Sequence, residues 1–172
     1  MIKNPIATLF VVSAVACGGQ IDSNDDAQDM KSSAAFEPFT AYATARQHAA
    51  KYCSNPAAIG LGGELNSDKT YSWSWRFRCD GQVFVMVSVS PSGARVTSHG
   101  IRTWLLGSSS FDPAKVNVKA TDLLSILRKH GIAQPDEMDL GEVLAPNATP
   151  HWSVTAGTKS VSVDALSGKV DG

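Results

Sequence analysis

The sequence predicts an α+β fold made of two helix-plus-antiparallel-hairpin repeats, with the helices packed on one face of antiparallel sheet. Apolar residues recur at helical spacing over residues 39–53 and 121–130, which is typical of amphipathic helices. Residues 72–79 instead alternate strictly between apolar and polar side chains, as a half-buried strand does. The order helix, long loop, hairpin and Ser-Gly turn occurs twice along the chain, which indicates an internal repeat.

The first repeat is predicted over residues 39–110. It contains a helix, two alternating strands and a short third strand, at residues 39–53, 72–79, 83–89 and 95–97. Asn55-Pro56 ends the helix, because the residue before a proline is disfavoured in helical conformation. Asp80-Gly81 supplies residues that tolerate positive φ in a tight hairpin turn, and Ser92-Gly93 supplies the next turn.

The second repeat is predicted over residues 111–172. It contains a helix and two strands, at residues 121–130, 151–155 and 160–166. Gly131 suits the left-handed cap that ends a helix, and Ser167-Gly168 matches the Ser-Gly turn of the first repeat. Trp73 and Trp152 hold corresponding positions in the two repeats. The alternative is that the same order of elements arises twice by chance.

Two segments are predicted as loops. Gly60-Leu61-Gly62-Gly63 lacks the Lys-Ser/Thr that would complete a phosphate-binding loop, so it is interpreted as a flexible connection. Asp136, Glu137, Asp139 and Glu142 make an acidic stretch. The ligand pattern of a calcium loop is missing there, so solvation is the expected role.

The N-terminus has the three parts of a secretion signal. Lys3 gives the positive end, residues 6–15 are mostly apolar, and small residues precede Cys17. These ten residues span about 15 Å, roughly half a bilayer core, so a permanent transmembrane helix is not expected. Residues 1–16 are therefore predicted to be removed as a signal peptide.

The tetrapeptide Ala14-Val15-Ala16-Cys17 resembles the lipobox of bacterial lipoproteins, although leucine is usual where Ala14 stands. The resemblance implies that the Cys17 sulfur carries a lipid such as palmitate and becomes the new N-terminus. Two or more acyl chains hold a protein at a membrane stably. The alternative is an ordinary signal peptidase, which would cut before Cys17 and leave it without lipid.

Residues 17–38 are predicted to form a disordered tether behind the lipidated cysteine. Four aspartates lie between residues 22 and 29, and large apolar side chains are nearly missing, so this segment cannot bury enough surface to fold. An acidic binding tail is the alternative. The tether leaves about 134 of the 172 residues for the folded body, enough for a hydrophobic core.

Cys53 and Cys79 are predicted to form a disulfide. If Cys17 carries lipid, these two are the remaining cysteines, and an even number fits an oxidising compartment. A bridge closing a loop of roughly 27 residues would stabilise the fold by about 3–4 kcal/mol. A redox or metal-binding thiol pair is the alternative, but the usual Cys-x-x-Cys spacing is missing.

The charge balance argues against a nucleic-acid partner. The formal net charge is −1, and removing Lys3 with the signal makes it −2, without the basic excess that phosphate neutralisation needs. The four histidines, His48, His99, His130 and His151, form no metal-binding motif. A Gly-x-Ser-x-Gly nucleophile motif is also missing. The sequence therefore predicts a protein that is not an enzyme and holds no cofactor or metal.

The predicted hairpin at residues 161–170 resembles the C-terminal hairpin of PepSY domains, in which an alternating strand precedes Asp-Ala and Gly-Lys-Val. Residues 87–96 are similar, with Ser90-Pro91 in place of Asp-Ala. The resemblance implies tandem PepSY-like domains in a bacterial envelope protein. It also implies a binding module rather than an enzyme, one that binds or inhibits peptidases.

Two sets of side chains on strand 72–79 are candidates for contact with a partner. Arg76 and Arg78 share the face opposite the apolar residues, where they would meet an acidic partner or water. Trp73, Trp75 and Phe77 are predicted to pack in the core, with a ligand platform as the alternative. The sequence thus predicts a lipid-anchored binder of a protein or peptide, such as an envelope peptidase. A small-ligand-binding or envelope-sensing module is the rival prediction.

Overall fold

The structure is a computed structural model that describes residues 36–102, 109–142 and 149–171. In these residues α1 is Tyr42–Ala49 and α2 is Ala120–Lys129. The strands are β1 Ala57–Leu65, β2 Tyr71–Cys79, β3 Val83–Ser90, β4 Gly93–Ile101, β5 Glu137–Glu142, β6 Pro150–Ala156, β7 Lys159–Asp164 and β8 Val170–Asp171. Short 3-10 helices span Pro38–Ala41, Asp80–Gln82 and Pro113–Lys115.

All eight strands belong to one antiparallel sheet. Their order is β4-β3-β2-β1-β5-β6-β7-β8, so β1 and β5 are the central pair. In that pair Gly60 lies opposite Gly141, Leu61 opposite Leu140 and Glu64 opposite Glu137. The sheet is therefore continuous from the strands that follow α1 to those that follow α2.

The predicted fold class, two helix-plus-hairpin repeats, is wrong. Four strands follow each helix rather than one hairpin, and the two sets join edge to edge through β1 and β5. Those two strands occupy the segments predicted as the glycine loop and the acidic loop. Pairing with a neighbour on each side fixes their extended backbone, although their composition has low strand propensity.

One face of the sheet forms the core. Trp75, Phe77 and Trp152 are fully buried there, as the alternation in β2 predicts, so core packing of the β2 aromatics is confirmed. Both helices contribute to the same cluster of buried residues: α1 through its small residues Ala45 and Ala49, α2 through leucines such as Leu123 and Leu127. The helices therefore lie on the same face of the sheet.

Buried polar atoms of the core find partners on the backbone. The indole N–H of Trp75 donates to the Pro38 carbonyl at 3.1 Å, and that of Trp152 donates to the Val118 carbonyl at 2.9 Å. Burying an indole without such an acceptor would cost about 1–3 kcal/mol. These two bonds attach the segments before α1 and α2 to the sheet.

The connections around α1 and α2 differ in part from the prediction. Helix α1 ends at Ala49 rather than continuing to residue 53. Cys53 follows it and forms the predicted disulfide with Cys79 at the end of β2, with a Cα–Cα distance of 5.8 Å. Gly131 has φ of 77° after α2, the left-handed conformation expected of a C-terminal cap.

Candidate functional site

The face of the sheet turned away from α1 and α2 is the candidate site, and we call it the open face. Alternation along the strands places mostly short polar side chains there. On β2, β3, β6 and β7 these are Ser72, Ser74, Ser88, Ser153 and Ser162, whose register positions lie on that face. The open face is therefore polar where the core face is apolar.

A groove crosses the open face from β5 over β1, β2 and β3 to β4, and we call it the central groove. Gly62 of β1 lines it without a side chain, whereas Gly60 and Gly141 share this face of the sheet but lie outside the groove lining. The groove has a volume of about 290 Å³, and its lining includes Gly62, Ser72 and Ser74. The glycines leave backbone accessible between the side chains of the flanking strands.

An ion pair crosses one end of the central groove. The Nη2 atom of Arg76 on β2 lies 2.6 Å from Oδ1 of Asp139 on β5. To reach Asp139, the Arg76 side chain crosses β1 at Gly60. A Cβ atom at Gly60 would collide with the Arg76 guanidinium, so this crossing requires glycine. Both side chains remain partly exposed, at 29% and 33%. Arg76 Nε is buried and has no hydrogen-bond partner among the described residues.

The two arginines proposed to contact a partner both lie on the open face, but in different settings. Arg76 lines the central groove and its charge is paired with Asp139. Arg78 lies further along β2, directly opposite Phe84 of β3. Phe84 is only 7% exposed although it is on the open face. The structure thus separates Arg78 from the groove that Arg76 lines.

Acidic side chains line the other end of the groove. Glu64 and Glu137 are direct register partners on the antiparallel strands β1 and β5, and both are exposed. Two like charges at such positions repel each other. Within the described residues neither glutamate has an ion pair with a basic side chain.

The sequence prediction missed the carboxylates and the glycine floor because it assigned both segments to loops. A usable signal was present in the second segment: Met138 and Leu140 alternate with Glu137 and Asp139, as in a half-buried strand. Met138 and Leu140 are indeed fully buried on the core face. Period-two alternation was thus present where acidic composition suggested a solvated loop.

A second polar cluster on the open face contains Thr149, His151 and Asp164. The Thr149 hydroxyl donates to Asp164 Oδ2 at 3.2 Å and lies 3.2 Å from His151 Nε2. Nδ1 is buried and lacks a hydrogen-bond partner in the part of the chain described. A nucleophilic triad would place the carboxylate on the histidine instead, so these three side chains do not have the arrangement of such a triad.

Strong acceptor bonds hold Asp164 ionised. Its Oδ1 accepts from the backbone N–H of Ser167 at 2.6 Å, from the Ser167 hydroxyl at 2.8 Å and from the Leu166 N–H at 3.0 Å. These bonds, chiefly that of the Ser167 backbone, lower the pKa of Asp164 to about 2. They fix the turn between β7 and β8, so the role of Asp164 is structural.

The other predicted features have the following positions. His99 on β4 packs against Tyr52 in a tilted arrangement, with ring centroids 4.6 Å apart. Over residues 36–102, 109–142 and 149–171, no group of three His, Cys, Asp or Glu side chains could hold a metal ion.

Neither described helix has the length and apolarity needed to span a bilayer. The signal peptide, Cys17 and most of the tether lie outside the described residues.

No protein-family model, curated protein or solved structure matches this chain. The resemblances to the lipobox and to PepSY domains therefore stay predictions from short motifs.

Proposed function

We propose that this protein is a non-catalytic binding module of the bacterial cell envelope, anchored to a membrane through lipid on Cys17. In this proposal the open face binds a protein or peptide partner, and a peptidase is the partner class that the PepSY resemblance suggests. The anchor follows from the sequence around Cys17. The binding role rests on the open face.

The observation that carries the binding role is the one-sided packing of the sheet. Both helices lie on the core face, which leaves eight strands with a polar opposite face and a glycine-floored groove. Small-molecule sites are mostly apolar and enclosed. The lining of the central groove contains Met86 and glycine backbone together with hydroxyls and charged groups such as Ser74 and Asp139, and this mixture favours an extended polypeptide over a small apolar ligand.

The geometry of the polar groups supports a non-catalytic role. The Asp164 carboxylate accepts from the Thr149 hydroxyl rather than from His151, so these three side chains lack the order of contacts found in a nucleophilic triad. In the groove, Arg76 is held by Asp139. Polar and charged side chains of this kind can bind charged groups and backbone amides of a partner, and binding is the activity that we propose.

Site-specific photo-crosslinking tests the binding role. Benzoylphenylalanine replaces Ser72, an exposed residue in the groove lining, or Ser125, an exposed residue on the outer side of α2. After irradiation of membranes from the producing bacterium, we expect a protein adduct from position 72 and none from position 125. Equal adducts from both positions, or none from position 72, would contradict binding on the open face.

Labelling with a palmitate analogue tests the anchor. We expect the full-length chain to incorporate the label and to fractionate with membranes, because acyl chains bury many methylenes in the bilayer. Cys17→Ala should lose both properties, while the double variant Cys53→Ser/Cys79→Ser should keep the label. Label retained by Cys17→Ala would refute lipidation at this residue.

A further inference from the structure

We infer that the central groove binds an extended cationic segment of the partner, with lysine or arginine side chains placed over Glu64 and Glu137. This inference rests on the proposed function and specifies the chemistry of the partner. It is carried by the shape of the groove floor and by the balance of charge along the groove.

The floor of the groove has the shape that an extended backbone needs. Gly62 of β1 lies in the groove between Ser74 of β2 and Asp139 of β5. A Cβ atom on Gly62 would meet nothing closer than Asp139 Oδ2, at 3.9 Å. The space above Gly62 is thus open, whereas the space above Gly60 is taken by the Arg76 guanidinium. An extended segment can therefore lie over the Gly62 end of the groove, and Arg76 limits it at the other end.

The net negative charge of the groove lining favours a positively charged ligand. The lining contains Glu64, Glu137, Asp139 and Arg76, so three negative charges and one positive charge leave a net formal charge of −2. The Arg76–Asp139 pair is internally neutral. The excess therefore belongs to Glu64 and Glu137, which face each other across β1 and β5. A lysine or arginine between them would replace repulsion by two attractive contacts.

The other lining groups fit a peptide better than the remaining cationic ligands. Ser72 and Ser74 supply hydroxyls that can accept from backbone N–H groups or donate to carbonyls. A metal ion would need a third ligand, and the described residues contain no group of three suitable side chains. The groove lining includes no aromatic ring on which a cationic sugar could stack. A basic polypeptide segment is thus the occupant that these groups favour.

Fluorescence anisotropy with a labelled peptide of alternating lysine and alanine tests the inference, with the matching glutamate-alanine peptide for comparison. In an extended peptide this alternation puts all lysines on one side. We expect the mature chain to bind the lysine peptide and not the glutamate peptide. Binding should weaken as salt rises, because the contacts are exposed ion pairs. The lysine peptide should also compete with formation of the position 72 crosslink.

Two groove variants and two matched controls locate the contacts. Glu64→Gln/Glu137→Gln should raise the peptide Kd about tenfold. Asp122→Asn/Asp171→Asn, which removes the same charge from α2 and from β8, should leave Kd unchanged. Gly62→Val fills the groove and should abolish binding, whereas Ser160→Val on β7 should not. Unfolding curves for each variant show whether the fold is retained.

The outcomes separate this inference from the proposed function. If position 72 captures a partner but the lysine peptide neither binds nor competes, the cationic segment is wrong and the binding face stands. If position 72 captures nothing and no peptide binds, both proposals fail. An equal loss in the two charge variants would refute specific contacts by Glu64 and Glu137. Peptide binding that requires calcium and disappears with chelator would refute direct pairing in favour of a metal.

Discussion

Replacing Gly63 by alanine should destabilise the protein because the new methyl group has no room. Gly63 is buried on the core face of β1, opposite Trp73 of β2. A Cβ atom there would lie 2.5 Å from Cζ3 of the Trp73 indole and 2.8 Å from Cε3 and Cη2. Trp73 is 2% exposed and packs edge-on against Trp152 at 6.4 Å. The indole cannot move away without disturbing a second core ring.

The magnitude follows by comparison with the neighbouring glycine. Overpacking a well-filled core costs about 1–3 kcal/mol. Replacing glycine by alanine also restricts the unfolded chain, which stabilises the fold by about 0.4–1 kcal/mol. Gly62→Ala gives the same unfolded-state gain without a clash, because its nearest contact is 3.9 Å away. The difference between the two variants therefore isolates the clash, at about 1–3 kcal/mol.

Urea unfolding followed by far-ultraviolet circular dichroism measures this difference. We expect Gly62→Ala to match or exceed the wild-type midpoint, and Gly63→Ala to fall below it with an unchanged denaturant slope. Trp73→Phe removes the colliding part of the ring, so adding it to Gly63→Ala should cost less than adding it to the wild type. Equal stability of the two alanine variants would refute the packing argument.

Two further predictions concern the disulfide and the β7–β8 turn. Cys53→Ser/Cys79→Ser should lose about 3–4 kcal/mol of unfolding free energy, measured by thermal unfolding. A reductant should bring the wild type to the same midpoint, and a wild type insensitive to full reduction would contradict this. For Asp164, the pKa of about 2 lies below the unfolded value. Its bonds therefore stabilise the fold fully above about pH 4, and this stability is lost as pH falls through about 2. Asp164→Asn should be less stable at pH 6 by about 1 kcal/mol, after allowance for solvent screening. Urea midpoints should converge toward pH 2, and a gap constant with pH would contradict the assignment.

The strands β2, β3, β6 and β7 and the second helix could be predicted from the sequence because their local pattern and their tertiary role agree. In β2, Trp73, Trp75 and Phe77 alternate with serine and arginine, and each aromatic is buried. Gly131 ends α2 by its left-handed backbone. Local propensity, alternation and turn residues all favour the observed structure in these segments.

The central strands could not be predicted in the same way because their structure depends on neighbours distant in sequence. β1 contains three glycines in four residues, Gly60, Gly62 and Gly63, and glycine is depleted in strands. Pairing with β2 on one side and β5 on the other supplies the hydrogen bonds that fix it as a strand. The wrong fold class has in part the same origin. When the central strands β1 and β5 are predicted as loops, nothing joins the two sets of strands, and separate hairpins are predicted instead of one sheet.

The glycines and carboxylates that make the central strands hard to predict are also the residues that shape the candidate site. A sheet stabilised only by packing would carry large β-branched side chains at its centre. Here the central pair instead brings glycine to the floor of the groove, at Gly62, and carboxylates at Glu64 and Glu137. Two opposed carboxylates and a bare floor cost stability in the isolated chain. Residues that weaken the centre of a fold while shaping a polar groove are expected where binding, rather than folding, determines the sequence.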